Sequence, residues 1–117
     1  MSLQAYQKAQ RVTETPRDTE YRLFGQVTGA LMAAKDLKPT DRDLVEALDK
    51  NRRVWSAMAL DCSSDGNALP EAVRAQIISL SLWVSRYTSD VMRKKAPVDP
   101  LIDINRTIME GLSSRPG

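Results

Sequence analysis

The 117-residue sequence contains no histidine and a single cysteine, Cys62. Histidine is the commonest general base and a frequent zinc ligand, and one cysteine can form neither an intramolecular disulfide nor a CxxC redox pair. Cys62 also has no histidine to activate it as a nucleophile. These absences predict a protein without a metal site, and one free thiol fits a reducing compartment such as the cytoplasm.

Phosphate-binding loops are missing too, because the five glycines form neither a GxGxxG nor a GxxxxGK motif. Two carboxylate pairs, Asp18 with Glu20 and Asp41 with Asp43, stand at predicted helix starts, where acids favour the positive end of the helix dipole. Capping explains these pairs better than acid–base catalysis. The sequence therefore predicts no enzymatic activity, no cofactor and no small-molecule substrate.

Aromatic residues, long apolar runs and excess charge are also scarce. The chain has two tryptophans, three tyrosines and one phenylalanine, and its net charge is +2. The longest apolar-rich stretch, residues 77–84, is far shorter than the roughly 20 residues that span a membrane. We expect a cytoplasmic protein that does not enter membranes and is not specialised for nucleic acid, although Arg52 and Arg53 could touch RNA.

What the sequence does contain is helical periodicity. Between residues 70 and 95, apolar side chains recur at spacings of three and four, which predicts a helix and excludes a strand. Similar stripes cover 17–35, 41–62 and 101–112, and Pro16, Pro39, Pro70 and Pro97 fall between or at the start of these segments. The pattern predicts an all-α fold: a small single-domain bundle of four main helices plus a short N-terminal helix.

Two asparagines interrupt this pattern. Asn51 and Asn105 each fall in the middle of an apolar stripe and each is followed by an arginine. One interpretation is that both amides are buried and hydrogen-bonded, which would fix the register of the helices. The other is that they face a cleft and bind the backbone of a partner.

The helix predicted over 70–95 has a second departure from a simple stripe. Ile78 and Leu82 lie nearly opposite the main stripe, and Trp83 lies on its flank. This helix is therefore either buried on both sides or carries an apolar patch for a partner.

Four blocks of sequence resemble the flagellar biosynthesis regulator FlaF family. They are RDTEYRLFGQVT at 17–28, LDKNRRVW at 48–55, NALP at 67–70 with IISLSLWV at 77–84, and LIDINRTI at 101–108. Ala5 and Tyr6 near the start also match. The resemblance covers residues 3–112, which implies one FlaF-like domain over 1–117 with an ordered core at about 3–112.

The resemblance implies a non-enzymatic cytoplasmic protein needed for flagellin synthesis, flagellin secretion and filament assembly. It implies that the protein binds flagellin in the manner of an export chaperone and has a functional link to the FlbT regulator. The ends of flagellin are amphipathic helices. From the residues themselves we expect flagellin to contact Tyr6, Tyr21, Asn51, Arg52, Trp55, Ile78, Leu82, Trp83 and Asn105. For Trp55 and Trp83, a place in the core is the alternative.

A different function stays open at this point: post-transcriptional regulation by binding flagellin messenger RNA. The small net charge and the lack of aromatics among the basic residues make RNA the less expected direct partner.

Overall fold

The computed structural model of the protein describes residues 16–67 and 69–113. This part of the chain consists of four α-helices and contains no strand, which confirms the all-α prediction. The helices are α1 (Pro16–Ala34), α2 (Arg42–Cys62), α3 (Glu71–Met92) and α4 (Asp99–Ser113). The short N-terminal helix predicted before Pro16 lies outside the described residues.

Prolines and short polar side chains set the helix starts. Pro16 is the first residue of α1, where its missing N–H and fixed φ cost nothing. Asp41, one residue after Thr40, is the N-cap of α2, and its Oδ1 accepts a hydrogen bond from the backbone N–H of Asp43 at 2.9 Å. Asp and Thr cap helices comparably well, so the sequence alone could not choose between them.

The end of α3 uses the left-handed backbone region. Lys94 has φ of 64°, and the next backbone N–H, on Lys95, donates to the carbonyl of Asp90 at 2.9 Å. This arrangement closes the last carbonyls of the helix and turns the chain toward α4. Three consecutive cations, Arg93 to Lys95, follow directly after the helix.

The four helices pack in a ring with one weak side. Helix α2 packs extensively against α1 and α3, and α1 packs against α4, whereas α3 and α4 meet at few positions. Side chains from all four helices form one buried cluster, in which Phe24, Leu31, Leu48, Trp55 and Leu101 are fully buried. The rings of Phe24 and Trp55 meet edge to face, with centroids 5.2 Å apart. The weak α3–α4 side leaves a groove between these two helices.

Gly25 and Gly29, four residues apart on α1, suggest a close helix crossing in the sequence, but only one of them lies at a helix interface. A methyl group at Gly25 would stand 3.6 Å from Cε of Met109 on α4, which is ordinary van der Waals contact. A methyl group at Gly29 would meet no atom within 4 Å. The crossing of α1 and α4 therefore does not depend on the absence of a side chain at Gly29.

Candidate functional site

The main candidate site is the groove between α3 and α4, which we call the α3–α4 groove. The first half of α3 forms one wall, residues 104–111 of α4 form the other, and Met58 of α2 and Leu69, just before α3, complete the lining. The groove has a volume of about 380 Å³. Its described lining consists of Met58, Leu69, Val73, Gln76, Ile77, Leu80, Ile104, Thr107, Ile108 and Gly111.

The groove is apolar and uncharged. No ionisable side chain is among its described lining residues, and Gln76 and Thr107 are the polar side chains there. Val73 is 39% exposed, and Leu80, Ile104 and Ile108 are half-buried. Apolar side chains left partly exposed along two facing helices can bury the apolar face of a third helix, which is a common mode of peptide recognition.

The α3 stripe divides between the core and the groove. Val84 and Val91, in the second half of α3, are buried against the other helices. Val73 and Leu80, in the first half, line the groove, because α3 and α4 pack loosely against each other. The sequence pattern identified both halves as one apolar face, but it did not show that the first half lacks a neighbour.

Asn51 and Asn105 are buried, and each is 0% exposed. Nδ2 of Asn105 donates to Oδ1 of Asn51 at 2.7 Å and to Oγ1 of Thr28 at 3.1 Å, and Oδ1 of Asn105 accepts from Nε1 of Trp55 at 2.8 Å. Side chains of α1, α2 and α4 therefore meet in one polar cluster, which we call the amide cluster. The alternative in which the two amides face a cleft is wrong for this structure, because a protein partner cannot reach them.

Trp55 is a core residue as well. Its side chain is 0% exposed, and its indole N–H is bonded to Asn105. The expectation that Trp55 contacts a partner is corrected for the same reason: no part of its ring is at the surface. Its backbone carbonyl accepts a hydrogen bond from the hydroxyl of Ser81, which joins α2 to α3.

The predicted patch on α3 is partly exposed. Leu82 is 59% exposed, and Trp83 is 39% exposed and stacks on Tyr87 with ring centroids 4.9 Å apart. Ile78 is half-buried and packs against the core. These residues remain candidates for a partner surface, although Leu82 lies on the opposite face of α3 from Leu80 in the groove.

The other predicted contact residues are dispersed. Tyr21 is 42% exposed on α1. Arg52 is half-buried and forms an ion pair with Asp49 at 3.4 Å, and Arg53 pairs with the same carboxylate at 3.0 Å. Tyr6 lies outside the described residues. Tyr21, Arg52 and Leu82 lie on three different helices.

Three further observations concern the thiol, metal binding and the membrane. Burial, followed by the charges of Glu20 and Asp61, raises the pKa of the Cys62 thiol, which disfavours the reactive thiolate. Across the described ranges, no group of three or more acids and thiols is arranged to hold a metal ion. No helix in these same ranges is long and apolar enough to cross a bilayer.

Comparison with known proteins gives one match. The sequence profile of the flagellar protein FlaF family matches residues 2–112. Neither the curated proteins nor the solved structures contain a significant match. The matched region includes α1, α2, α3 and nearly all of α4, so it covers both the amide cluster and the α3–α4 groove. On this nearly full-length match, the chain belongs to the FlaF family of flagellar proteins.

Proposed function

We propose that this flagellar protein is a non-enzymatic regulator that binds flagellin in the cytoplasm, in the manner of an export chaperone. In this proposal an amphipathic helix of flagellin lies in the α3–α4 groove and buries its apolar face there. Binding of this kind keeps an aggregation-prone helix unpolymerised until export. A functional link to the FlbT regulator is part of the same proposal.

The observation that carries the proposal is the uncharged, apolar lining of the groove. A volume of about 380 Å³ lies within the usual range for ligand pockets, and it is bounded by two facing helices. A helix placed between them can present side chains at i, i+3, i+4 and i+7 to Val73, Leu80 and Ile108. Gln76 and Thr107 can give hydrogen bonds at the edges.

RNA binding receives less support. Arg52 and Arg53 share the carboxylate of Asp49, so their charge is already partly neutralised within one turn of α2. The net charge of the chain is +2. Proteins that hold a nucleic-acid backbone neutralise several phosphates with lysine and arginine, and their affinity falls steeply with salt.

The first test is isothermal titration of the full chain with flagellin at low and high salt. We expect binding with a negative heat-capacity change and little dependence on salt, because apolar burial is not screened by ions. Absence of binding at both salt concentrations, with flagellin able to polymerise, would contradict the proposal. Binding of flagellin messenger RNA that weakens steeply with salt, and weakens further in Arg52→Ala/Arg53→Ala, would support the alternative function.

A matched pair of valines locates the binding surface. Val73 in the groove and Val45 on α2 are each 39% exposed, and both lie near the start of a helix, where an aspartate is tolerated. We expect Val73→Asp to weaken flagellin binding by about tenfold or more, because it places a charge in an apolar interface. Val45→Asp should leave the affinity unchanged.

A second matched pair tests occlusion of the groove. Gly111 lies in the groove lining and Gly29 on α1 lies outside it, and a side chain at either position would start in open space. Gly111→Trp should fill the groove and abolish binding, whereas Gly29→Trp should bind as the unmodified chain does. Equal effects of the two substitutions would show that flagellin binds elsewhere.

A further inference from the structure

The outward side of α3 carries a strip of apolar and small side chains with Leu82 at its centre. At 100° per residue, Ala75, Ile78, Arg86 and Ser89 fall within about 40° of Leu82 around the helix axis. We call these five residues the outer α3 face. Leu82 is 59% exposed and Ala75 is exposed as well. Helix α1 does not contact α3, and α4 meets it at few positions, so this face stands at the surface of the described bundle.

We propose that the outer α3 face binds the same face of a second copy of the chain, so that two α3 helices pack antiparallel across a two-fold axis at Leu82. This contact is independent of the flagellin-binding proposal, because Leu80 and the α3–α4 groove lie on the opposite side of the helix. The dimer therefore presents two α3–α4 grooves, one on each chain.

The first argument is the charge at the two ends of this face. Glu71 lies eleven residues before Leu82, and Arg93, the C-cap residue, lies eleven residues after it. Both side chains are exposed, and neither forms an ion pair with a described residue. A two-fold axis at Leu82 places Glu71 of each chain opposite Arg93 of the other, which gives two symmetric ion pairs. Lys94 and Lys95 add charge of the same sign at the Arg93 end.

The other charged side chains of α3 are Arg74, Arg86 and Asp90. Arg74 and Asp90 lie eight residues before and after Leu82 on its two flanks, so the same axis brings Arg74 of one chain toward Asp90 of the other. This pair contributes less, because Nη1 of Arg74 already donates to the carbonyl of Ser64 at 3.4 Å. Arg86 comes opposite the apolar half of the strip, where its methylene stem can cover apolar side chains while the guanidinium stays in water.

The second argument is that charge selects one orientation. In a parallel pair of α3 helices, Glu71 would face Glu71 and Arg93 would face Arg93, so both ends would repel. In the antiparallel pair both ends attract. Ala75 of one chain then lies opposite Ser89 of the other, and these small side chains allow the two helices to approach closely.

The area of the face sets the strength of the contact. The 22 residues of α3 extend about 33 Å, and one helix face is about 10 Å wide. The contact therefore buries on the order of 300–400 Å² per chain, whereas a stable interface buries about 800 Å² per partner. We expect a transient dimer with a dissociation constant on the order of 100 µM.

The first test is sedimentation equilibrium of the full chain from about 10 µM to about 1 mM. We expect Leu82→Asp to weaken association by about tenfold or more, because the two-fold axis brings the two introduced charges together. Met32→Asp is the matched control: Met32 is 46% exposed and lies on α1, which does not contact α3. This variant should associate as the unmodified chain does, and circular dichroism checks that both variants fold.

A charge swap tests the orientation. Glu71→Arg and Arg93→Glu should each weaken the dimer, because each places like charges at both ends of the contact. The double variant Glu71→Arg/Arg93→Glu should associate as the unmodified chain does. In about 1 M salt the single charge variants should lose their effect, whereas Leu82→Asp should keep most of its effect.

Disulfide formation between chains tests which residues face each other. Two variants are made in the Cys62→Ala background, one with Ala75→Cys and the other with Ser89→Cys. Under mild oxidation we expect disulfide-linked dimers when the two variants are mixed, and little cross-linking of either variant alone.

Three outcomes would overturn the proposal. A chain that stays monomeric at about 1 mM would show that the outer α3 face does not bind a second copy. Equal weakening by Leu82→Asp and Met32→Asp would place the contact elsewhere. Cross-linking of the Ala75→Cys variant with itself, or a charge swap that does not restore association, would exclude the antiparallel pair. None of these results requires flagellin, so the two proposals fail separately.

Discussion

Replacement of Asn105 by alanine tests the amide cluster directly. The Asn105 side chain is 0% exposed and makes three hydrogen bonds, with Trp55, Asn51 and Thr28. Asn105→Ala removes all three hydrogen bonds at once, so Trp55, Asn51 and Thr28 each lose the hydrogen bond that they form with Asn105. Because the cluster joins α1, α2 and α4, the change acts on the centre of the bundle.

The size of the effect follows from these bonds. Leaving a buried polar group without its partner costs about 1–3 kcal/mol, and Oδ1 of Asn105 is the acceptor for the indole N–H of Trp55 in the amide cluster. The hydroxyl of Thr28 is less affected, because it also donates a hydrogen bond to the sulfur of Met109 at 3.9 Å. We expect Asn105→Ala to lower the free energy of unfolding by about 4 kcal/mol, a large share of the 5–15 kcal/mol typical of a domain.

Asn51→Ala is the matched control within the same cluster. Oδ1 of Asn51 accepts one hydrogen bond, and its Nδ2 is buried without a partner among the described residues. Removing that unpaired donor relieves part of the cost of losing the bond. We therefore expect Asn51→Ala to cost about 1–2 kcal/mol, clearly less than Asn105→Ala.

Urea unfolding followed by circular dichroism measures both changes. With an m-value of about 1.5 kcal/mol per M, the midpoint of Asn105→Ala should fall by about 2–3 M without a change in slope. The double variant should cost less than the sum of the single variants, because the two side chains share a bond. Equal costs for the two asparagines, or full additivity, would refute the reasoning.

Three other predictions concern packing, helix propensity and the buried thiol. Leu101→Ala, at a fully buried position, should lower the free energy of unfolding by about 3–5 kcal/mol, as measured by urea unfolding. Leu80→Ala, in the groove, should lower it by about half as much. Equal losses would mean that the groove wall is packed as tightly as the core. Gly29→Ala should raise the free energy of unfolding by about 0.5–1 kcal/mol, since alanine favours helix and finds open space there; a thermal melt that shows destabilisation would contradict this. Burial raises the pKa of the Cys62 thiol, so its contribution to stability is complete below its ordinary value of 9.0 and is lost as the pH rises above it. The stability difference between the unmodified chain and Cys62→Ser should therefore shrink between pH 8 and pH 10 in urea titrations, and a constant difference would count against the shift.

The helices themselves were predictable from the sequence because their determinants are local. Apolar spacing of three and four residues identified each helix, and Pro16 and Pro70 marked two of the starts. The residue that caps α2 could not be chosen from the sequence, because Thr40 and Asp41 are both good caps and the choice depends on backbone angles.

The amide cluster was only half predictable. Periodicity placed Asn51 and Asn105 in the middle of apolar faces, which made burial one of two interpretations. Their bond to each other depends on how α2 and α4 meet across the bundle, and the two residues are 54 positions apart in sequence. Local pattern carries no information on that register.

The groove could not be predicted, for a related reason. Val73 and Leu80 belong to the same stripe as Val84, and Ile104 and Ile108 look like any other core-facing residues. They line a groove only because α3 and α4 pack loosely, which is a property of tertiary packing. The prediction that Trp55 contacts a partner was wrong for the same reason, because its burial depends on tertiary packing.

The contrast between the two tryptophans gives the protein an intrinsic optical readout. Trp55 is sealed in the interior beside Phe24, so its fluorescence should be blue-shifted and shielded from iodide. Trp83 stands at the surface against Tyr87, so its fluorescence should be red-shifted and quenched readily. Emission that iodide quenches therefore reports events on α3, and emission that iodide leaves unquenched reports events in the interior, without any added dye.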